Sequence, residues 1–339
     1  MTPKTPTVSV CIPTYNRAGM LRESISSVLE QTFQDFELIV SDNASEDETE
    51  AVVRSFADKR IAYYRNPHNI GQRPNWNRCL SLASGRYVAL FFDDDMMMPE
   101  NLAEKVAVLE KYPQVGLVHS KYHVVDRHGI VLKFNTNKEC AGNCSSDAIE
   151  PGLVVLETLL KHNIIHESTV MFRRNCYEQL GGFTDQLSLA FDWEYWMRIA
   201  STCDIAFIAK PLVKWRLHSG SLTIVTHQRI SKDREAAIAR LQSDLSGFRS
   251  VGEHYVKKIS INARRGVKRQ LWRQMGERVA GYALVLLGEG GPNAEVRAFI
   301  LRMCHAFPEI LIEKAVWKAF LKSLLSPRRI TQLKRISPT

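Results

Sequence analysis

Residues 90–99 read LFFDDDMMMP, so Asp93, Asp94 and Asp95 stand in a row behind the apolar run from Val88 to Phe92. Adjacent carboxylates repel, and apolar flanks make them harder to solvate. A solvated turn at the end of a strand relieves the repulsion. A divalent cation relieves it more fully, by turning repulsion into coordination. Plain D-x-D spacing pairs Asp93 with Asp95, since an extended backbone sends residues i and i+2 to the same side. His218, in WRLHSG, is a further candidate for the metal or for a diphosphate, with core structure as the plain alternative. Arg216 beside it suits a phosphate or a carboxylate at the core edge.

Three other acidic positions carry candidate chemistry. Asp42 ends the run FELIVSD. An ionised carboxylate only accepts hydrogen bonds, so it can take the N3–H of uracil or thymine; the competing role is an Asx turn or a helix cap. Asp192, in FDWEYWMRIA, stands where it could cap the helix bearing Trp193 and Trp196. Glu167 and Ser168 are weaker candidates, facing an acceptor. His162 and His166 lie four apart, but HES is not the H-E-x-x-H of a zinc site. Trp193, Tyr195 and Trp196 read as core, with one available to stack on a sugar ring.

These residues need a scaffold. VSVCI (8–12), FELIVSD (36–42), IAYYRN (61–66) and RYVALFF (86–92) read as strands rich in Val, Ile, Tyr and Phe. Between them Leu21, Ile25, Val28 and Leu29 keep helical spacing, and 46–57 and 75–84 are further helices. Strand–helix alternation with continuous apolar strands predicts a mostly parallel sheet covered on both faces. Later strands are expected at 115–125, 168–172 and 205–218, and a short helix at 192–200. Ligands of such sheets bind outside the carboxyl ends of the strands. There the chain carries PTYNR, SDNAS and DDD, which favours the metal over the plain turn.

Neither G-x-G-x-x-G nor G-x-x-x-x-G-K-[ST] follows the first strand, whose loop holds only Gly19. A diphosphate would be held through a cation rather than a glycine cradle. The missing glycine loop also disfavours a sugar nucleotidyltransferase.

The segments VSVCIPTYNRAGMLRESISSVLEQTFQDFELIVSDNASEDET, NPHNIGQRPNWNRCLSLASGRYVALFFDDDMMMPENL, GGFTDQLSLAFDWEYWMRIA and VKWRLHSGSLT closely resemble, in order and spacing, the family 2 inverting glycosyltransferases of GT-A fold. The likeness covers residues 8 to about 223. It implies a Rossmann-like mixed, mostly parallel α/β sheet flanked by helices, and transfer of a sugar from a nucleoside diphosphate, UDP or dTDP rather than GDP, with Mg²⁺ or Mn²⁺. Pro13, Thr14, Tyr15 and Asn16 match the loop packing on the nucleotide, with Asp42 reading its base. Asn69, Gly71 and Arg73 match the segment closing over nucleotide and phosphates. Asp93, Asp94 and Asp95 match the metal-binding region, and Asp192 matches the general base. Two departures stand out. Anchoring the family's Asp-x-Asp-Asp-x-x-x-Pro on Pro99 puts its first Asp at Phe92, making Asp94 and Asp95 the pair; Asp95 is a ligand in either register. Phe191 stands where Glu usually precedes the base, which leaves open a protein that binds the donor without turnover.

The 339 residues suffice for a GT-A domain, expected at 1–226, and a helical basic region at 227–339. Residues 1–226 carry 23 Lys and Arg against 27 Asp and Glu, whereas 227–339 carry 22 against 9. That asymmetry suggests a near-neutral body and a tail that seeks anionic surfaces. No nucleic-acid motif accompanies the charge. Lys314, Lys318 and Lys322 share one helical face, while Val316, Phe320 and Leu324 lie on another. This suits either peripheral membrane contact or a packed helical domain with a basic face. A glycan or lipid-linked acceptor of bacterial envelope synthesis would fit the former. The seven cysteines, with Cys140 and Cys144 four apart and no completing pair, read as reduced thiols of a cytoplasmic protein, and peripheral contact at the inner membrane face is the option left by the basic tail. TVSVCIP begins so early that no signal peptide is expected.

Overall fold

The computed structural model describes residues 5–134, 145–185, 187, 190–218, 234–288 and 293–323. They fall into two compact units, a sheet unit from residues up to His218 and a helical unit from those beyond it, which also takes residues 160–162 and 187. The boundary expected at residue 226 lies outside the described residues, as do Cys140 and Cys144.

The sheet unit alternates β1 (Val8–Thr14), α1 (Ala18–Leu29), β2 (Phe36–Asp42), α2 (Thr49–Arg54), β3 (Ile61–Arg65), α3 (Gln72–Ser81) and β4 (Tyr87–Leu90). Every residue of β1 is buried, as a continuous apolar strand covered on both faces requires. Leu21, Ile25 and Val28 of α1 pack on the sheet fully buried, each worth about 1.5–3 kcal/mol of hydrophobic stabilisation. Then come β5 (Met96–Met97), α4 (Asn101–Lys111), β6 (Val115–Val125), β7 (Val131–Phe134), β8 (Ala148–Glu150), α5 (Gly152–Leu159), a 3₁₀ turn (Glu167–Thr169), β9 (Met171–Arg173), α6 (Arg174–Leu180), α7 (Phe191–Ala200) and β10 (Asp204–Arg216).

The sheet runs β3-β2-β1-β4-β9-β6-β10-β5, with β7 on β6 and β8 on β10. β1, β2, β3 and β4 are parallel, while β9 enters antiparallel between β4 and β6. The sheet is therefore mixed and mostly parallel, with helices on its faces. The register places Thr14 beside Asp42 and Asp42 beside Arg65, so three loops leave the carboxyl edge together. The short β5, β7 and β8 and helices α5 and α6 were not expected from the sequence; segments of two to eight residues show too little periodicity.

The helical unit holds α8 (Arg234–Val256), α9 (Ile261–Gly288), α10 (Asn293–Ala306) and α11 (Lys314–Ser323) around Leu245, Val279, Phe299, Met303 and Ile310. Val316 is buried in this core and Phe320 packs against it. The apolar face expected to meet lipid thus packs inside its own unit, leaving Lys314 and Lys318 exposed. The side chain of Lys322 and all of Leu324 lie outside the described residues. Among the described residues no helix is long and apolar enough to cross a membrane.

Candidate active site

The acidic run leaves β4 in a turn at Asp93–Asp94, closed by Asp95 N–H donating to the Phe92 carbonyl at 3.3 Å. Because the backbone turns, the alternation expected of an extended strand does not apply. One nitrogen of Arg17, Nη1, donates to Asp93 Oδ1 at 2.9 Å and to Asp94 Oδ2 at 2.7 Å. His218 Nε2 lies 3.0 Å from the same Asp94 oxygen. Asp95, expected as a ligand in either register, accepts from two donors. It is 2% exposed, its Oδ1 accepts from the Arg216 backbone N–H at 2.9 Å, and its Oδ2 accepts from the Ser168 hydroxyl.

The three carboxyls differ electrostatically. Burial pushes Asp93 up to about 6, against the pull of Arg17. Burial, then the charge of Asp94, pushes Asp95 well above the carboxylate range. Burial also opposes ionisation of Asp94, but the His218 hydrogen bond and the Arg17 charge outweigh it and hold that carboxyl below its ordinary value. Asp94 is therefore the most readily ionised of the three, with a positive group already drawn to it. The buried Arg216 guanidinium pairs with Glu23 at 2.6 Å and donates to the Arg127 carbonyl, so it braces this edge rather than presenting to a phosphate.

Two loops beside the acids are tied together. Asn16, at φ 52°, takes the left-handed backbone that Asn tolerates better than most residues. Its N–H donates to Ser45 Oγ and its Oδ1 accepts from Glu46 N–H. Pro13 and Thr14 are buried beneath, while Tyr15 is 42% exposed. Asp42 is fully buried, with Oδ1 accepting from Ser45 N–H and Oγ and Oδ2 from Tyr63 OH at 2.6 Å. That is the turn-forming role weighed against base recognition, and it leaves one lone-pair direction on Oδ2, which Arg65 approaches at 3.6 Å.

Sequence reasoning missed an asparagine network at this edge. Asn43 Nδ2 donates to Asn69 Oδ1, and its Oδ1 accepts from Asn66 Nδ2 and Ile70 N–H. Asn75 accepts from Ser41 Oγ and Asn66, and donates to the Ser41 carbonyl. These bonds, each worth about 1 kcal/mol net, clamp the loop after β3 to the end of β2. The crowding of Asn in SDNAS and NPHNIGQRPNWN was the available signal. Gly71, at φ 89°, caps α3 in a conformation that strains other residues. Arg73 in the next turn is half-buried, with no ion-pair or hydrogen-bond partner among the described residues.

Helix α7 starts at Phe191 with Ala190 as its N-cap, so Asp192 is not the cap. It is half-buried in the first turn, where the helix dipole favours a carboxylate. Phe191 is 3% exposed and packs on Trp76 and Phe183. Trp76 also packs on Phe92, at 4.4 Å between ring centroids. One indole thus braces the residues preceding both Asp93 and Asp192, which accounts for a Phe at 191. Glu194 is paired with Arg198, which also holds the carbonyls of Leu180 and Gly182. Tyr195 and Trp196 are fully buried and Trp193 nearly so, with its Nε1 donating to the Leu159 carbonyl. None of these three rings is open to a sugar. Glu167 is the more open acid, with His166 Nδ1 3.8 Å away.

Residues 9–142 match the family model described as Glycosyl transferase family 2. An uncharacterized glycosyltransferase of Haemophilus influenzae is 30% identical over 230 residues, covering 65% of this chain and 68% of that one. The chain belongs to glycosyltransferase family 2. Another relative, the Escherichia coli UDP-Glc:alpha-D-GlcNAc-diphosphoundecaprenol beta-1,3-glucosyltransferase WfgD, is 28% identical over 218 residues, covering 64% of this family 2 chain and 79% of WfgD. The chain spans between 32% and 66% of the length of five rickettsial relatives, all called uncharacterized glycosyltransferases. The fold is shared with Staphylococcus aureus TarS 1–349, solved with UDP-GlcNAc, at TM-score 0.58 and 16% identity, covering 96% of this chain and 92% of that one. It is also shared with the Pyrobaculum calidifontis mannosyltransferase PcManGT, solved with GDP-Man and Mn²⁺, at TM-score 0.56 and 20% identity, covering 95% and 88%. Both are GT-A glycosyltransferases, and the GT-A architecture expected from the motifs is the one this family 2 chain adopts.

Proposed function

We propose that this chain moves a sugar from a nucleoside diphosphate, UDP or dTDP, to a hydroxyl of a glycan or lipid-linked acceptor, inverting the anomeric carbon. The observation that carries the reading is the convergence of Arg17, His218 and the ionised Asp94 on one oxygen at the carboxyl edge. Donor and acceptor class lean on WfgD, whose name states a UDP-sugar donor and a lipid diphosphate acceptor.

The donor set fits a divalent cation in kind: two carboxylates and an imidazole, with the Arg17 guanidinium standing where positive charge is wanted. Among the described residues no three His, Cys, Asp or Glu side chains form a ready cage. Mg²⁺ commonly takes only one or two carboxylates and completes its shell with substrate phosphates and water. Asp94 and Asp93, with His218, would hold the ion. When bound, it neutralises charge growing on the departing diphosphate. Asp95 positions this group by fixing Ser168 and the Arg216 backbone. Tyr15 offers an exposed ring to the base, and Arg73 an unengaged guanidinium to the phosphates. The acceptor oxygen attacks the anomeric carbon as the bond to the diphosphate breaks, and Asp192 takes the acceptor proton. No covalent intermediate is required, so one carboxylate suffices.

Purified full chain, given UDP-, dTDP- and GDP-sugars with Mg²⁺ or Mn²⁺, should release UDP or dTDP through slow donor hydrolysis even without an acceptor. Release of pyrophosphate would overturn the reaction type. Donor binding without release, with and without glycan acceptors, would show an inert sugar-nucleotide binder.

A further inference from the structure

At the amino edge of the sheet, opposite the acidic turn, two cysteines meet. Cys176 lies in α6 and Cys203 in the turn after α7, and their sulfurs flank the same glycine. Gly116 of β6 makes the meeting possible. A Cβ there would fall 2.9 Å from Cys203 Sγ and 3.3 Å from Cys176 Sγ, so both sulfurs rest where a side chain would stand. Cys176 is buried and directs its thiol to the Gly116 carbonyl at 3.8 Å. Cys203 is partly open, and the Thr202 hydroxyl lies 3.6 Å from its sulfur. Among the described cysteines it alone is not buried; Cys11, Cys79 and Cys304 are enclosed.

We propose that Cys203 is an oxidative modification site, attacked by hydroperoxides, and that Cys176 is its resolving thiol. The neighbouring Cys176, against burial and helped by Thr202 and Arg173, pulls the Cys203 thiol down to about 6. The same proximity, with burial, pushes Cys176 far up, so the pair has one nucleophile and one proton holder. In the first step the Cys203 thiolate attacks hydrogen peroxide, the O–O bond breaks, and sulfenic acid and hydroxide form. In the second, Cys176 sulfur attacks the sulfenic sulfur. The S–O bond breaks, water leaves with the Cys176 proton, and a disulfide joins α6 to the end of α7. The two-electron oxidation is balanced by reduction of one peroxide. Cys11 and Cys79 are also in contact but fully buried, which makes them an internal control.

The test uses the full chain. At pH 6, iodoacetamide should label Cys203 about tenfold faster than an ordinary exposed thiol, because the gain in thiolate exceeds the loss in intrinsic nucleophilicity. Stoichiometric hydrogen peroxide should yield a Cys176–Cys203 linked peptide and a mass lower by two hydrogens, leaving Cys11 and Cys79 reduced. Cys176→Ser should stop at a Cys203 sulfenic acid trapped by dimedone, and Cys203→Ser should leave Cys176 reduced. Should either variant fail to fold, the two wild-type measurements still decide. An ordinary-thiol pH profile at Cys203, or peroxide leaving both thiols unlinked, would overturn the proposal.

Discussion

Asp94→Asn is expected to lower sugar transfer by about 10²-fold or more, and Asp95→Asn by no more than about tenfold. The contrast follows from where the two side chains go. Asp94 is the ionised carboxylate on which Arg17 and His218 converge, so its loss removes the charge that would hold a cation. Asp95 is buried and its carboxyl is pushed well above the usual range. Asparagine there still accepts from the Arg216 N–H, and its amide can donate to Ser168 Oγ in place of accepting from it. Steady-state kcat/KM for both variants, in Mn²⁺ and in chelator, checks this. An inactive Asp95→Asn beside an active Asp94→Asn would reverse the assignment and restore Asp95 as the principal ligand.

Asp192→Asn is expected to cut transfer by about 10²-fold or more while donor binding survives, because it removes a proton acceptor at nearly constant size. Thermal unfolding should shift by less than about 1 kcal/mol. The cap of α7 is Ala190, so no cap is removed, and the near-isosteric amide keeps hydrogen-bonding capacity in the first turn. Phe191→Glu separates the base from its neighbour. It would bury a carboxylate against Trp76 and Phe183, at a cost of about 3 kcal/mol or more, rather than recreate a working pair. Near-full transfer by Asp192→Asn would move the base to Glu167, since Glu194 is already engaged by Arg198.

Much of this was legible in the sequence. The first four strands and their helices announced themselves through continuous apolar runs and helical spacing, and β2 begins and ends at the expected residues. The loops PTYNR, SDNAS and DDD do leave one sheet edge, as a parallel register demands. What the sequence could not carry was orientation. Reading Asp93–Asp95 as extended chain put Asp93 and Asp95 side by side, whereas the chain there forms a turn closed by Asp95 N–H, to which that alternation does not apply. Asp42 matched a base-reading motif, and the Ser45 and Tyr63 bonds that hold it come from partners one loop and one strand away, which the motif alone does not show. Phe191 looked like a defect until Trp76 was seen to pack on both it and Phe92, a contact between residues far apart in the chain. The basic C-terminal helix was ambiguous for the same reason. Its apolar stripe suits lipid or protein equally, and only tertiary packing shows Val316 and Phe320 turned inward.

The central claim is that the acidic turn at Asp93–Asp94 grips a donor diphosphate through a divalent cation. Equilibrium titration of UDP into the full chain, once with Mn²⁺ and once with chelator, tests it without knowledge of the sugar or the acceptor. UDP should bind at least about tenfold more tightly with Mn²⁺, a difference of roughly 1.4 kcal/mol or more, and Asp94→Asn should abolish the difference. Equal UDP affinity in Mn²⁺ and in chelator would contradict it.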